Sequence, residues 1–251
     1  NSPKMRVFKN PIKTHRVILC VSVLFNIFLL ALVYVAEKQG HVFGMALERR
    51  NLISLSDESH PDYWARMGWT NTVNKLHSEF DVAFFGNSIT RGSDFQFYFT
   101  DKKIINLGYS GDNMTGMLRR VPMLQAAHPK KIFVMAGTND IFHITIDEFS
   151  ERYEKLLNAI SDSLPNSSVY LQSILPMNGE IKHGCPSDEK IRNANKRLSE
   201  IANKRNLKYV DIYNAYVQDG KLPSQLTRDG IHLIPEHYNK WAKIIEPFVN
   251  E

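Results

Sequence analysis

At 251 residues, of which 43% are hydrophobic and 23% charged, the chain can build one substantial hydrophobic core. Its formal net charge of +5 comes from residues 1–16, which hold five basic residues and no acidic one. Removing those five leaves 26 basic residues against 26 acidic ones. This distribution argues against nucleic-acid binding, which requires basic residues on the folded domain rather than on a tail. Two cysteines far apart in the sequence offer neither a disulfide framework nor a thiol metal site.

The first element is an uncharged, apolar run over residues 17–36. As a helix rising about 1.5 Å per residue, it would span the roughly 30 Å hydrocarbon layer, so it predicts a transmembrane signal anchor. A cleaved signal peptide and a buried core helix are the alternatives. Tyr34 fits poorly three positions before a cut after Ala36, and the run lacks a polar face.

The basic residues 1–16 predict a cytoplasmic tail, because positive charge favours the cytoplasmic side of a membrane. The remainder would then lie outside the membrane, periplasmic or extracellular, or would be secreted if the segment is cleaved. Residues 37–59 predict a stalk between membrane and domain, and residues 60–251 predict one folded domain.

Within the domain, apolar runs alternate with amphipathic runs. Strands are predicted at 82–85, 104–107, 132–136, 169–175 and 207–212, and helices at 114–127, 146–164, 188–206 and 236–249. This alternation predicts an α/β fold with a five-stranded parallel sheet that is covered by helices on both faces.

Polar clusters follow four of these segments, at the carboxyl ends of strands, where open parallel sheets bind their ligands. The clusters read "GNS", "GYSGD", "GTND" and "DGIH". Each has a simple alternative: Ser88 can be a helix cap, Asn139 with Asp140 another cap, and Asp229 with His232 an ordinary turn.

Together the clusters supply the groups of an acyl-transfer site. Ser88 provides a hydroxyl, His232 a base, and Asp229 a carboxylate that can orient the imidazole. The Gly111 amide and the Asn139 side chain can donate hydrogen bonds to a tetrahedral oxyanion. No metal or other cofactor is expected, because the histidines and cysteines lack metal-ligand spacing.

The blocks "GNSIT", "NLGYSGD", "GTND" and "DGIH" resemble the successive motifs of the SGNH hydrolases, also called GDSL esterases and lipases. The resemblance covers about residues 80–250. It implies a flavodoxin-like three-layer α/β/α sandwich with strand order 2-1-3-4-5. It also implies Ser88 as nucleophile, Asp229 and His232 as acid and base, and the Ser88 amide, Gly111 and Asn139 as the oxyanion hole.

Two positions test this resemblance. Asn87 stands where most members carry Asp, but the triad acid lies in the last block, so the exchange removes no catalytic group. His237 is a second candidate base, although Pro235 is expected to begin a helix that would carry it away from the site.

The resemblance to platelet-activating-factor acetylhydrolase-like and carbohydrate-esterase branches implies a short, acetyl-type ester on a carbohydrate or envelope glycan as substrate. Arg91, Met177 and Asn178 are predicted to contact it, because the segments 91–99 and 177–186 leave the catalytic rim. The alternatives are an envelope-glycan O-acetyltransferase, a lysophospholipase or thioesterase, and a non-catalytic glycan-binding domain.

Overall fold

The computed structural model describes residues 21–23, 25–29 and 79–251. The chain divides into two units, Asn1–Ile53 and Ser54–Glu251. In the first unit residues 21–23 and 25–29 are helical. Among the described residues, no helix has the length and apolar character needed to cross a membrane. The predicted tail, the stalk and most of the predicted anchor at 17–36 lie outside the described residues, so the anchor stays a prediction.

The second unit contains a parallel sheet of five strands in the order β2-β1-β3-β4-β5, which confirms the predicted order. The strands are β1 Val82–Gly86, β2 Ile104–Gly108, β3 Lys131–Met135, β4 Ser168–Gln172 and β5 Lys208–Val210.

Helices connect and flank these strands. They are α1 Ser88–Arg91, α2 Phe95–Tyr98, α3 Met114–Arg119, α4 Val121–Ala126, α5 Ile146–Ser163, α6 Asp188–Lys204, α7 Tyr213–Tyr216 and α8 Tyr238–Asn250. Short 3-10 turns lie at Asp140–Phe142, Ser224–Leu226 and Pro235–His237.

The sheet is buried on both faces, as its nearly continuous apolar strands predict. Ala83 and Phe85 of β1 face a core that α3, α4, α5 and α6 complete. Val82 and Phe84, which alternate with them, face a second core that includes residues of α2, α7 and α8. The unit is therefore a three-layer α/β/α sandwich.

Most elements begin and end within two residues of their predicted bounds, and two depart further. The helix predicted at 114–127 is divided at Arg120, since Pro122 near the start of α4 has no amide to continue the helical hydrogen bonds. Strand β4 ends at Gln172, because the Ser173 hydroxyl accepts the Ile212 and Tyr213 amides at 2.8 and 2.7 Å. The Ser173 amide still donates to the Val210 carbonyl at 3.1 Å, so the side-chain contacts take over only beyond this bond.

Candidate active site

The nucleophile candidate lies immediately beyond the carboxyl end of β1. Ser88 is the first residue of α1, and Asn87 caps this helix: its Oδ1 accepts the Ile89 amide at 2.9 Å. The capping role considered for Ser88 therefore belongs to its neighbour. The Asn87 side chain is buried, and its Nδ2 has no hydrogen-bond partner among the described residues.

Ser88, His232 and Asp229 form one continuous chain of hydrogen bonds. Ser88 Oγ lies 2.7 Å from His232 Nε2, and His232 Nδ1 lies 2.5 Å from Asp229 Oδ2. A carboxylate can only accept, so Nδ1 carries the proton that is shared with Asp229. The lone pair of Nε2 then points at the Ser88 hydroxyl, in the position from which a base can take its proton.

The electrostatics of Asp229 favour its charged form. Burial raises the pKa of this carboxyl, but the His232 amide and ring and the Ile231 amide outweigh burial and lower the pKa to about 2. The two amides donate to Oδ1 at 2.8 and 3.0 Å, which leaves Oδ2 for the imidazole. Asp229 therefore carries a negative charge at neutral pH and can stabilise an imidazolium.

The turn that carries Asp229 and His232 is fixed to a neighbouring loop at Gly230. The Gly230 carbonyl accepts the Asn178 amide at 2.8 Å, and the Gly230 amide donates to Thr227 Oγ1 at 2.9 Å. Gly230 has a φ of 83°, and a Cβ there would lie 2.7 Å from the Asn178 carbonyl oxygen. Only glycine fits this turn without strain.

The two oxyanion-donor candidates meet at the loop after β2. Asn139 Nδ2 donates one of its two protons to the Asp112 carbonyl at 2.7 Å, which holds the amide against the loop that contains Gly111. The second proton remains for another acceptor. Neither the Gly111 amide nor the Ser88 amide donates a hydrogen bond to another described residue. These three donors can serve an oxyanion.

Asp140, next to Asn139, is a buried carboxylate with a structural partner. Its two oxygens accept the Met114 amide at 3.2 and 3.0 Å, and Arg152 Nη1 lies 3.7 Å away. Burial raises the pKa of Asp140 to about 6, although the Met114 amide and Arg152 act in the opposite direction. The residue joins the start of α3 to the strand exit that carries Asn139.

The three predicted substrate contacts differ in accessibility. Arg91 is exposed, and its Nη1 donates to Ser110 Oγ at 2.6 Å, beside Gly111. Met177 and Asn178 are buried, and the Asn178 amide group donates to the Leu222 carbonyl at 2.8 Å. Contact of these three residues with substrate stays a prediction, and the burial of Met177 and Asn178 leaves Arg91 as the accessible one.

His237 lies apart from the hydrogen-bonded chain, with its Nε2 3.3 Å from the Gln225 carbonyl. It ends the 3-10 turn Pro235–His237, so the proline does begin a helical segment. Within the described part of the chain, no group of three His, Cys, Asp or Glu side chains could hold a metal ion.

The sequence interpretation did not include Arg120 as a support of the site, named Asp140 only as a possible cap, and gave Asn178 a role as a substrate contact rather than as a support of the Gly230 turn. A signal existed for Arg120: it lies three residues after Met117 and four before Leu124, both buried, so it occupies the apolar face of its helical run. The contact between the Asn178 main-chain amide and Gly230 had no local signal, because Gly230 lies far away in the sequence.

A parallel sheet of this order carries a hydrogen-bonded serine and histidine at its carboxyl edge, an arrangement that acyl transfer through a serine requires. The sequence pattern of the GDSL-like Lipase/Acylhydrolase family matches residues 84–240, more than half of the chain. The chain belongs to this family of esterases and acylhydrolases, which confirms the resemblance noted from the four motifs.

Known proteins agree with this membership. The chain is 27% identical over 118 residues to a multidomain esterase of Ruminococcus flavefaciens, a match that covers 46% of this chain but 15% of that protein. A Streptococcus pneumonia structure provisionally described as a platelet activating factor is 26% identical, with a TM-score of 0.63, covering 73% of this chain and 92% of its own. An acetyl xylan esterase shares the fold at 22% identity and a TM-score of 0.58, covering 67% and 98%.

Proposed function

We propose that the domain is a serine esterase with Ser88 as nucleophile, His232 as general base and acid, and Asp229 as the carboxylate that orients the imidazole. The observation that carries this proposal is the hydrogen-bonded chain Ser88–His232–Asp229, with 2.7 Å between the serine oxygen and Nε2. Membership in an acylhydrolase family supports it.

The reaction proceeds in two steps. Ser88 Oγ attacks the ester carbonyl carbon while His232 Nε2 takes its proton, and the resulting oxyanion accepts hydrogen bonds from the Ser88 and Gly111 amides and Asn139 Nδ2. Collapse of this intermediate expels the alcohol, which leaves with the proton from His232. Water then attacks the acyl-enzyme, again losing its proton to His232. The acid is released as His232 returns this proton to Ser88 Oγ.

The substrate class that we propose is a short acyl ester, of which acetyl on a carbohydrate is the foremost candidate. A shared fold with an acetyl xylan esterase supports a carbohydrate ester, and the relative from Ruminococcus flavefaciens is an esterase. Arg91 is proposed to contact the alcohol part, since it is exposed and held beside Ser110 near the donors of the oxyanion hole.

Turnover of p-nitrophenyl acetate by the wild-type protein and by Ser88→Ala tests the mechanism. We expect the variant to lose activity by a factor on the order of 10³ or more, because no other group forms the acyl-enzyme. Full activity in Ser88→Ala would reject the proposal. A fluorophosphonate probe should label the wild-type protein and not the variant.

A panel of p-nitrophenyl esters of increasing chain length, together with acetylated xylan oligosaccharides, tests the substrate class. We expect the highest kcat/KM for acetyl. Preference for long acyl chains would indicate a lysophospholipase or thioesterase instead. Transfer of acetyl to an added glycan, with less free acetate than in its absence, would indicate an O-acetyltransferase.

We also propose, from the apolar run at residues 17–36 and the basic residues 1–16 before it, that this domain is held at a membrane and lies outside it. Expression of the whole chain followed by carbonate extraction tests the anchor. Release of the protein into the soluble fraction would contradict it.

A further inference from the structure

Arg120 is a fully buried cation in the described part of the chain, with a side chain that is 1% exposed. It lies at the break between α3 and α4 rather than on the surface. Burial of a guanidinium is expensive unless several acceptors receive its protons. The structure supplies those acceptors from three separate segments.

The first acceptor is the Asp112 carboxylate. Arg120 Nε donates to Asp112 Oδ2 at 2.8 Å, and Nη2 donates to the same oxygen. Asp112 is also buried, and its Oδ1 has no partner among the described residues. The position of the Asp112 side chain is therefore set by Arg120, and the residue directly before it is the donor Gly111.

The other acceptors are main-chain carbonyls at the ends of two strands. Arg120 Nη1 donates to the Leu107 carbonyl on β2 at 3.1 Å, and Nη2 donates to the Gly86 carbonyl on β1 at 3.2 Å. Gly86 lies two residues before Ser88. The guanidinium stacks on Tyr109 at 3.9 Å, within the same loop as Gly111. One planar group thus contacts the segment before the nucleophile and both ends of the loop after β2.

This contact extends to the third oxyanion donor. The Asp112 carbonyl accepts Asn139 Nδ2 at 2.7 Å, so a displacement of Asp112 also displaces the Asn139 amide. We propose that Arg120 is a positioning residue that sets the relative geometry of the Ser88, Gly111 and Asn139 donors. This inference rests on the proposed function, because it assigns Arg120 a role in the same oxyanion hole.

Lysine at this position would keep the positive charge but lose the planar set of N–H donors that the guanidinium provides. Its single ammonium cannot reach Asp112, Leu107 and Gly86 in the directions of three separate guanidinium nitrogens. We expect Arg120→Lys to lower kcat for p-nitrophenyl acetate by about 10- to 100-fold with KM within about 3-fold, since oxyanion contacts act in the transition state. Affinity for a trifluoromethyl ketone, which forms a tetrahedral adduct with the serine, should fall in parallel.

A double-mutant cycle with Asn139→Ala separates this role from a purely structural one. Asn139→Ala alone should lower kcat by about 100- to 1000-fold. If Arg120 acts through the oxyanion hole, Arg120→Lys should add less than about 3-fold in that background, because residues that act as a unit are not additive. A full additional 10- to 100-fold loss in the double variant would overturn the inference.

Two further variants control for a general loss of folding. Arg205→Lys alters the ion pair between Arg205 and Glu154. Arg205 lies just before β5, at the edge of the sheet opposite to β2, so this variant should leave kcat unchanged. If Arg120→Lys does not fold, Asp112→Asn replaces it in the cycle, and full activity of folded Asp112→Asn overturns the inference. Absence of Ser88-dependent turnover in the wild-type protein would instead reject the proposed function itself.

Discussion

Two carboxylates at the same edge of the sheet, Asp140 and Asp229, have opposite environments. The Asp140 side chain is 0% exposed, and burial raises its pKa to about 6. The Asp229 side chain is 52% exposed; burial raises its pKa, but hydrogen bonds from His232 and Ile231 outweigh this and lower it to about 2.

The difference shows which carboxylate can serve the histidine. An imidazolium is stabilised by a neighbour that is already charged at working pH, and Asp229 meets this condition. Asp140 instead accepts a main-chain amide at the start of α3, so its task is to hold the strand exit beside Asn139. Burial alone would have favoured Asp140 as the functional carboxylate, because buried carboxylates with a shifted pKa often lie in active sites.

The largest expected effect is on activity when each aspartate loses its charge. We expect Asp229→Asn to lower kcat by about 10³- to 10⁴-fold, since the amide cannot stabilise the imidazolium and favours the wrong tautomer. Asp140→Asn should cost less than about 10-fold, because an amide oxygen can still accept the Met114 amide. Steady-state kinetics with p-nitrophenyl acetate measure the loss of kcat in each variant. Equal losses in the two variants would contradict the different roles of Asp229 and Asp140.

The second expected effect is on stability, and here Asp140 dominates. The unfolded chain releases this proton near pH 3.8 and the folded protein near pH 6, so the folded state binds more protons between these values. Stability therefore falls as pH rises through that window. Between pH 4 and pH 7 the wild-type protein should lose about 2 to 3 kcal/mol more of its unfolding free energy than Asp140→Asn does.

Asp229 provides the control for this measurement. Its folded pKa is below its unfolded value, so its contribution is present above pH 3.8 and is lost as pH falls towards about 2. Asp229→Asn should therefore follow the wild-type stability between pH 4 and pH 7 in urea unfolding. Two results would contradict the assignment of the two environments. One is a weaker pH dependence of the unfolding free energy in Asp229→Asn than in the wild-type protein, and the other is an unchanged pH dependence in Asp140→Asn.

The smallest expected effect concerns how the Asp229 turn is held. Asn178 is 2% exposed, and its main-chain amide donates to the Gly230 carbonyl. Its side chain holds the surrounding loop, since Oδ1 accepts the Glu180 amide at 3.1 Å and Nδ2 donates to the Leu222 carbonyl at 2.8 Å. Asn178→Ala should loosen this loop and lower kcat by about 10-fold, since small displacements of a catalytic group are costly. Thermal unfolding should also show a loss of roughly 1 to 3 kcal/mol.

Asn195 offers a matched control for Asn178. It is another buried asparagine, and both of its hydrogen bonds go to the main chain of Ile174. Asn195→Ala should lose similar stability and keep the kcat of the wild-type protein. An equal fall of kcat in both variants would mean that the effect of Asn178 is a general loss of packing rather than a displaced turn.

The sheet and the location of the site were predictable, because they depend on local patterns. Apolar runs and strand exits are short-range features, and parallel strands bring their carboxyl ends to one edge. The placement of Ser88, Gly111, Asn139, Asp229 and His232 at that edge follows from this rule and from the four motifs.

The supporting residues were less predictable, because they act across the chain. Met177 and Asn178 were predicted to contact substrate from their place after a strand, but their burial depends on packing with segments far away in the sequence. The cap at Asn87 depends on a single side-chain contact that periodicity does not contain, whereas the break at Arg120 follows from Pro122, a signal that apolar periodicity also leaves out. Arg120 was detectable only as a charge on an apolar helical face.

The central claim is that Ser88 carries the acyl group during turnover. Mass spectrometry of the wild-type protein, quenched with acid during turnover of p-nitrophenyl acetate, tests it directly. The account predicts an acetyl group on the peptide that contains Ser88, and no such adduct in Ser88→Ala. Rapid turnover in the Ser88→Ala protein, or an acetyl group on another residue that forms and decays at the rate of turnover, would contradict it.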